Sequence, residues 1–286
     1  MKIILSRKGF DSSFGGCASP ILEDGTLVSL PIPEPRAPAT FADIQHRAAS
    51  VGQLVADLAR GRVTAATAAH LDPDLRPDAL PRESGWRPLF GQTVAAQSHL
   101  ANCGVGTGDL FLFFGWFREV ERRDARFRYV SHAPDLHVLF GWLRVGAVWT
   151  GDKLQQAPRW AQSHPHVASD YGPTSTVYVA ADDPPGQPDA GAFPRLVDEL
   201  ILTAPGETRR RWRLPAWFHP EGHGSALSYH GKPSRWQRAG GQVLLTTAGR
   251  GQEFVLDADD YPEAREWATR SIAAGASRRR PARASL

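Results

Sequence analysis

Asp109-Leu-Phe-Leu-Phe-Phe-Gly-Trp-Phe117 and His137-Val-Leu-Phe-Gly-Trp-Leu-Arg-Val-Gly-Ala-Val-Trp149 are the two runs whose reading decides the fold. Both are rich in aromatic and β-branched residues, which suit a buried or half-buried strand. They share a phrase: Phe114-Gly115-Trp116 leads to Arg118, and Phe140-Gly141-Trp142 leads to Arg144. The segment between them, from Arg118 to Tyr129, is charged and Arg-rich and predicts a solvated loop. The simplest arrangement is two neighbouring antiparallel strands joined by that loop. A glycine inside a strand weakens it unless a bulge or a close backbone approach requires it. Two matching Gly-Trp steps therefore predict a curled sheet. Arg118 and Arg144 are expected to project from one rim of it as binding groups.

Working outward, Lys2 to Ser6 predicts a strand, since pairing in a sheet is what ties down a chain end. Glu23-Asp-Gly25 is a hairpin turn between two short strands. Pro31 to Pro38 reads as an extended polyproline-type linker. Apolar spacing predicts a helix over Phe41 to Leu58 and another over Thr93 to Asn102, stopped by Gly104 and Gly106. Asp72 to Pro88 is a loop, and Leu154 to His164 is a short helix ended by Pro165. Ser175 to Ala180 is a strand, Asp182 to Pro188 a loop, and Phe193 to Leu202 is open between strand and short helix. Arg213 to Gly240 is irregular. Gln242 to Thr247 and Glu253 to Leu256 are strands joined through Ala248-Gly-Arg-Gly251, and Tyr261 to Ala274 is a closing helix. The sum is an α+β chain with a mixed, mostly antiparallel curled sheet or partial barrel and flanking helices. Residues 1–275 are expected to form one unit, and 276–286 a disordered Arg-rich tail.

The 286 residues provide ample core, and 42% hydrophobic with 22% charged residues argues against global disorder. The net charge is +3 and the pI about 9.1. The excess is local, in Arg209 to Arg213 and in the tail, and guanidinium forks suit phosphate oxygens. Two cysteines, Cys17 and Cys103, exclude a disulfide framework. No apolar run is long enough to span a membrane, and the first residues turn polar too soon for a secretion signal. A cytoplasmic protein without membrane contact is expected.

Arg7, Lys8, Asp11, Ser12 and Ser13 form a loop of cations, hydroxyls and one carboxylate next to glycines. Such a loop can hold a phosphate, although it lacks P-loop spacing. An ordinary polar turn is the plain alternative. Among the histidines, His137, His164 and His166 are candidate acid–base groups, because imidazole titrates near neutrality. His164-Pro-His166 can also chelate a metal, but no third ligand stands at a recognised spacing, so no metal ligand is assigned. Surface or packing roles are the alternative for all of them. Trp217, Tyr229 and Trp236 are candidate walls for a stacked base; Trp116, Trp142 and Trp149 read as packing residues. Gln252 and Glu253 can read a base edge or orient a water, or simply close a hairpin.

Met1-Lys-Ile-Ile-Leu-Ser-Arg-Lys-Gly-Phe-Asp-Ser-Ser-Phe-Gly-Gly16 and Ser19-Pro-Ile-Leu22 resemble the nucleotide modification associated domain 3 family. So do Leu89-Phe-Gly-Gln92, Gly108-Asp-Leu-Phe-Leu-Phe-Phe-Gly-Trp-Phe-Arg118, Leu136-His-Val-Leu-Phe-Gly-Trp-Leu143, His164-Pro-His166 and Gly251-Gln-Glu-Phe254. The likeness runs to about residue 270, and Cys17-Ala18 before Ser19-Pro20 departs from its pattern. It implies a link to modification of nucleic-acid bases. Separately, residues 86 to 180 are similar to PUA-like barrels, which read modified or flipped bases in a pocket.

These readings converge on a protein directed at a nucleotide or nucleic acid, DNA and RNA undecided, with an enzyme of base or nucleotide modification in the lead. Arg7, Lys8, Ser12 and Ser13 would hold a phosphate, and Asp11 with a histidine would move a proton. A non-catalytic reader of modified bases, a metal-dependent hydrolase or oxidoreductase using the histidines, and a scaffold protein contacting through the Arg tail are the alternatives. No cofactor is legible.

Overall fold

The computed structural model describes residues 1–47, 49–181 and 189–277. The loop expected over 182–188 and most of the Arg-rich tail, 278–286, lie outside the described residues. The architecture is α+β, dominated by an open nine-stranded mixed sheet with five helices and smaller antiparallel sheets around it.

The two decisive runs become strands Leu110–Arg123 and Leu136–Thr150, and they pair antiparallel as expected. The opening strand Lys2–Arg7 lies parallel to Leu110–Arg123 on one side and antiparallel to Glu253–Asp257 on the other. Beyond Leu136–Thr150 come Thr176–Ala180 and then Leu89–Gln92, both antiparallel. The register slips between Leu139 and Gly141 and again between Val145 and Ala147. A Cβ on Gly141 would lie 2.4 Å from Leu75, one on Gly115 would lie 2.8 Å from the Lys8 carbonyl, and one on Gly146 would lie 2.4 Å from the Ala181 Cα. The glycines thus permit close backbone approach, and the sheet bends at them. The bending brings the ends of the strand path together. Gln92 of the last strand donates to Glu253 of the first at 2.6 Å, although no backbone ladder closes the seam. Phe90, Phe111, Phe113 and Tyr178 fill the inside, with ring centroids 4.9–5.9 Å apart.

Several sequence expectations need correction. Arg118–Tyr129 is no loose loop: the strand runs on to Arg123, turns at Asp124-Ala125 with positive φ, and returns as Arg126–Tyr129. Phe127 and Tyr129 pack on a second core under the N-terminal third, which explains the ribbon. Ile32–Pro33 pairs with Ala68–His70, so the proline stretch builds a small sheet and links nothing. The helix predicted from Phe41 shrinks to Gly52–Leu58. Asp43 instead accepts from the Thr40 amide and hydroxyl, and this local bonding outcompetes helix formation. Pro165 opens a helical turn rather than ending one, as proline at a first helical position does. Arg211–Pro215, Gln242–Thr246 and Trp236–Ala239 form a three-stranded sheet, so the supposedly irregular segment contributes strands and Gln242–Thr246 does not pair with Glu253–Asp257.

Candidate functional site

Successive side chains of a strand point to opposite faces. Arg7 and Lys8 therefore part company at the end of the opening strand, and each meets a different set of partners.

On the inner face, Lys8 Nζ lies 2.7 Å from Glu253 Oε1, which also accepts from Gln92 Nε2. Glu253 is only 1% exposed. A buried carboxylate needs such partners, because an unpaired charge there is costly. Its Oε2, the Ser6 hydroxyl and His164 Nδ1 are buried without a hydrogen-bond partner among the described residues. Gly91, next to Gln92, leads to a cluster of imidazoles. Its amide donates to Asp72 Oδ1 at 2.8 Å, and a Cβ there would lie 2.3 Å from the His166 ring. His164 Nε2 is 3.3 Å from the same Asp72 oxygen. His70 Nε2 and His166 Nε2 are 3.7 and 3.8 Å from the other, Oδ2. His70 Nδ1 meets the Tyr171 hydroxyl at 3.0 Å and His166 Nδ1 meets the Ser175 hydroxyl at 3.1 Å. Burial alone would push the Asp72 carboxyl up, but the hydrogen bond from His164 and the nearness of the His70 and His166 rings outweigh it and hold Asp72 below the usual carboxylate range. Burial drives His166 down to about 3 despite Asp72. Asp72 also borders a cavity of about 500 Å³ whose walls include Gly9, His46, Arg76, Phe140 and Trp142. That volume falls in the range of small-molecule sites.

On the outer face, Arg7 turns toward a smaller cavity of about 120 Å³, lined by Asp11, Ser12, Ser13, Trp116, His137 and Arg209. Arg7 donates to the Gly251 carbonyl at 2.9 Å. Burial lowers its pKa, and Arg209 and Arg210 add to the effect while Asp11 opposes it. Arg209 lies flat on Trp116, 4.1 Å from the ring centroid. His137 Nδ1 accepts from the Trp212 indole at 2.9 Å, so the neutral ring carries its proton on Nε2. Burial, then Arg209 and Arg7, hold His137 at about 3. In this arrangement His137 presents its Nε2–H. Asp11 is committed as well: its Oδ1 accepts from the Ser13 and Phe14 amides. This closes the turn that presents the two serine hydroxyls.

The structure thus divides the predicted residues. Arg7, Asp11, Ser12, Ser13 and His137 share the outer cavity. Lys8 and Glu253 meet at the inner seam, and His164 and His166 gather instead on Asp72 beside Gly91. Trp116, read as a packing residue, lines the outer cavity. Trp217 and Trp236, read as ligand walls, pack instead against Phe218 and Trp267 and into the core, where the Trp236 indole donates to the His230 carbonyl. Arg118 and Arg144 do not share a rim. Arg144 pairs in register with Leu110, at the opposite end of that strand from Arg118, and binds Asp189 at 3.1 Å. Tyr229 is exposed beside Gly251 and His99, and Gln252 is exposed at the start of the seam. Sequence reasoning missed Gln92 as a site residue, and with it His70 and Asp72. The available signal was His70-Leu-Asp72, since residues two apart on extended chain present one face.

A family model described as nucleotide modification associated domain 3 matches residues 2–257. No curated protein and no solved structure matches the chain. Among the described residues no helix is long and apolar enough to cross a membrane.

Proposed function

Because the chain belongs to the nucleotide modification associated domain 3 family, we propose that it is an enzyme acting on a nucleotide or a nucleic-acid base, with its chemistry on the inner seam. One observation carries this reading. Lys8, Gln92 and Glu253, from three separate stretches of sequence, gather at one buried polar seam, and His164 and His166 gather on Asp72 at Gly91, one residue along the same strand. Among the described residues the Ser6 hydroxyl and Glu253 Oε2 at the seam and His164 Nδ1 in the Asp72 cluster are buried without partners, which suits a polar guest. The base would enter the 500 Å³ cavity that ends on Asp72, against Phe140 and Trp142. Lys8 and Gln92 fix the Glu253 carboxylate, and its second oxygen, which lies outside the walls of that cavity, would accept a proton or hydrogen bond from a substrate group that reaches the seam. The outer cavity would hold a phosphate through Arg7, Arg209, the His137 Nε2–H and the Ser12 and Ser13 hydroxyls.

The test is binding and turnover on a panel of nucleotides and of single- and double-stranded DNA and RNA, with products read by mass spectrometry. Arg7→Met is expected to weaken binding at least about tenfold, the loss of one charged hydrogen-bond partner. Glu253→Gln is expected to bind normally and turn over at least about a hundredfold more slowly. Wild-type behaviour in both would remove the assignment, and affinity without any turnover would leave only a reader of bases.

A further inference from the structure

We infer that His70, Asp72 and His166 form a binding site for one divalent first-row transition metal. Their donor atoms all lie within 4.8 Å of one another. Three features argue for a ligand set rather than a hydrogen-bonded knot. First, the Nε2 atoms of His70 and His166 stand 3.7 and 3.8 Å from Asp72 Oδ2, too far for hydrogen bonds. Ligands of one ion with bonds of about 2.1 Å are separated by roughly 3–3.5 Å, so the two imidazole–carboxylate pairs need only a small contraction onto a metal, and the two imidazole donor atoms lie within 4.8 Å of each other. Second, each outer nitrogen is already held: His70 Nδ1 by the Tyr171 hydroxyl and His166 Nδ1 by the Ser175 hydroxyl. With the proton on Nδ1, each ring offers a free lone pair at Nε2, which is the outer-shell arrangement that fixes a ligating tautomer. Third, Asp72 is oriented the same way. Its Oδ1 is taken by the Gly91 amide and His164, which leaves Oδ2 for the ion.

Gly91 belongs to this design, because any side chain there would strike the His166 ring. Tyr171 is braced in turn by Arg36, 4.2 Å from its ring centroid. Two imidazoles and one carboxylate leave coordination positions open, the donor set associated with Fe(II) chemistry rather than with a closed structural zinc site. Asp72, though not His70 or His166, also borders the 500 Å³ cavity. The inference rests on the three donors alone and holds whichever substrate the protein takes.

The experiment needs no substrate. The full-length protein, stripped with chelator and kept anaerobic, is titrated with Fe(II), Mn(II), Co(II) and Zn(II). Bound metal is counted by mass spectrometry, and Co(II) is followed by its visible absorption. One equivalent is expected, with a weak Co(II) spectrum of five or six coordination. His70→Ala and Asp72→Asn should each weaken metal binding by at least about 10–100-fold. The exposed His132→Ala should bind as wild type does. Circular dichroism and melting curves check that each variant is folded. The wild-type Co(II) spectrum stands without them. Failure of the wild type to take up close to one equivalent of any of the four ions would overturn the site. So would folded His70→Ala and Asp72→Asn proteins that bind as tightly as wild type. A nucleotide panel that fails while metal binds would overturn only the proposed function.

Discussion

Arg7 and Lys8 are neighbours in sequence and live in different worlds. Arg7 faces a small outer cavity shared with Arg209, His137 and two serine hydroxyls, where cations outnumber the one carboxylate. Lys8 points into the curl of the sheet, where its charge is matched by Glu253 at 2.7 Å. The first environment has positive charge to spare and suits an anion from outside. The second is internally neutralised and suits fixed proton and ligand geometry. The contrast shows how one dipeptide at a strand end can supply two sites of opposite character, because the pleat sends alternate residues to opposite faces.

The largest effect that would break this contrast is expected at Lys8. Lys8→Met leaves the buried Glu253 carboxylate with Gln92 as its one side-chain hydrogen-bond partner among the described residues, at a cost of about 3–5 kcal/mol. Urea denaturation measures it, and a loss no greater than that of Arg7→Met would erase the distinction. Gly91→Ala presses a methyl group into the His166 ring and should cost about 1–3 kcal/mol. Nucleotide affinity at the outer cavity should survive that change, as titration of the folded variant can check.

Acid should act on the outer side through His137. Its folded pKa, about 3, lies below the usual value near 6.5. The unfolded chain therefore binds the extra proton between these limits. Stability is complete above pH 6.5 and falls as the pH drops toward 3, by up to about 1.4 kcal/mol per unit. His46 and His230, each near 4 through burial, add slopes of the same sign. Urea midpoints at pH 7, 6 and 5 should decline, and His137→Gln should decline less steeply. The smallest stability effect belongs to Arg7→Met, about 1 kcal/mol: the bond to the Gly251 carbonyl is lost, but a charge disfavoured by burial and by Arg209 goes with it. A loss of several kcal/mol would reassign Arg7 to structure.

Much of the scaffold was legible. The Phe-Gly-Trp strands, their antiparallel pairing, the curl and the opening strand follow from local composition and glycine placement. The turn from Arg7 to Ser13 and its meeting with His137 also agree with the residue types present. The tryptophans were misread because indole serves core and ligand equally well. Trp236 is buried among apolar neighbours from the small sheet, whereas Trp116 carries Arg209 on its face. Asp72 was passed over because a stretch rich in Pro, Asp and Arg reads as a loop, which it is. Here that stretch is drawn beneath Gly91 and the His164–His166 segment.

The sequence by itself determined the central Phe-Gly-Trp strands, the opening strand and the glycines at which the sheet bends. These follow from side-chain shape, backbone freedom and a period of two, all local properties. Only the tertiary structure decided that Gln92 would meet Glu253 across the seam, and that His70 and Asp72 would meet His166. Those encounters join residues up to 161 positions apart. They depend on how far the whole sheet curls, a sum over many strands that no single stretch of chain encodes.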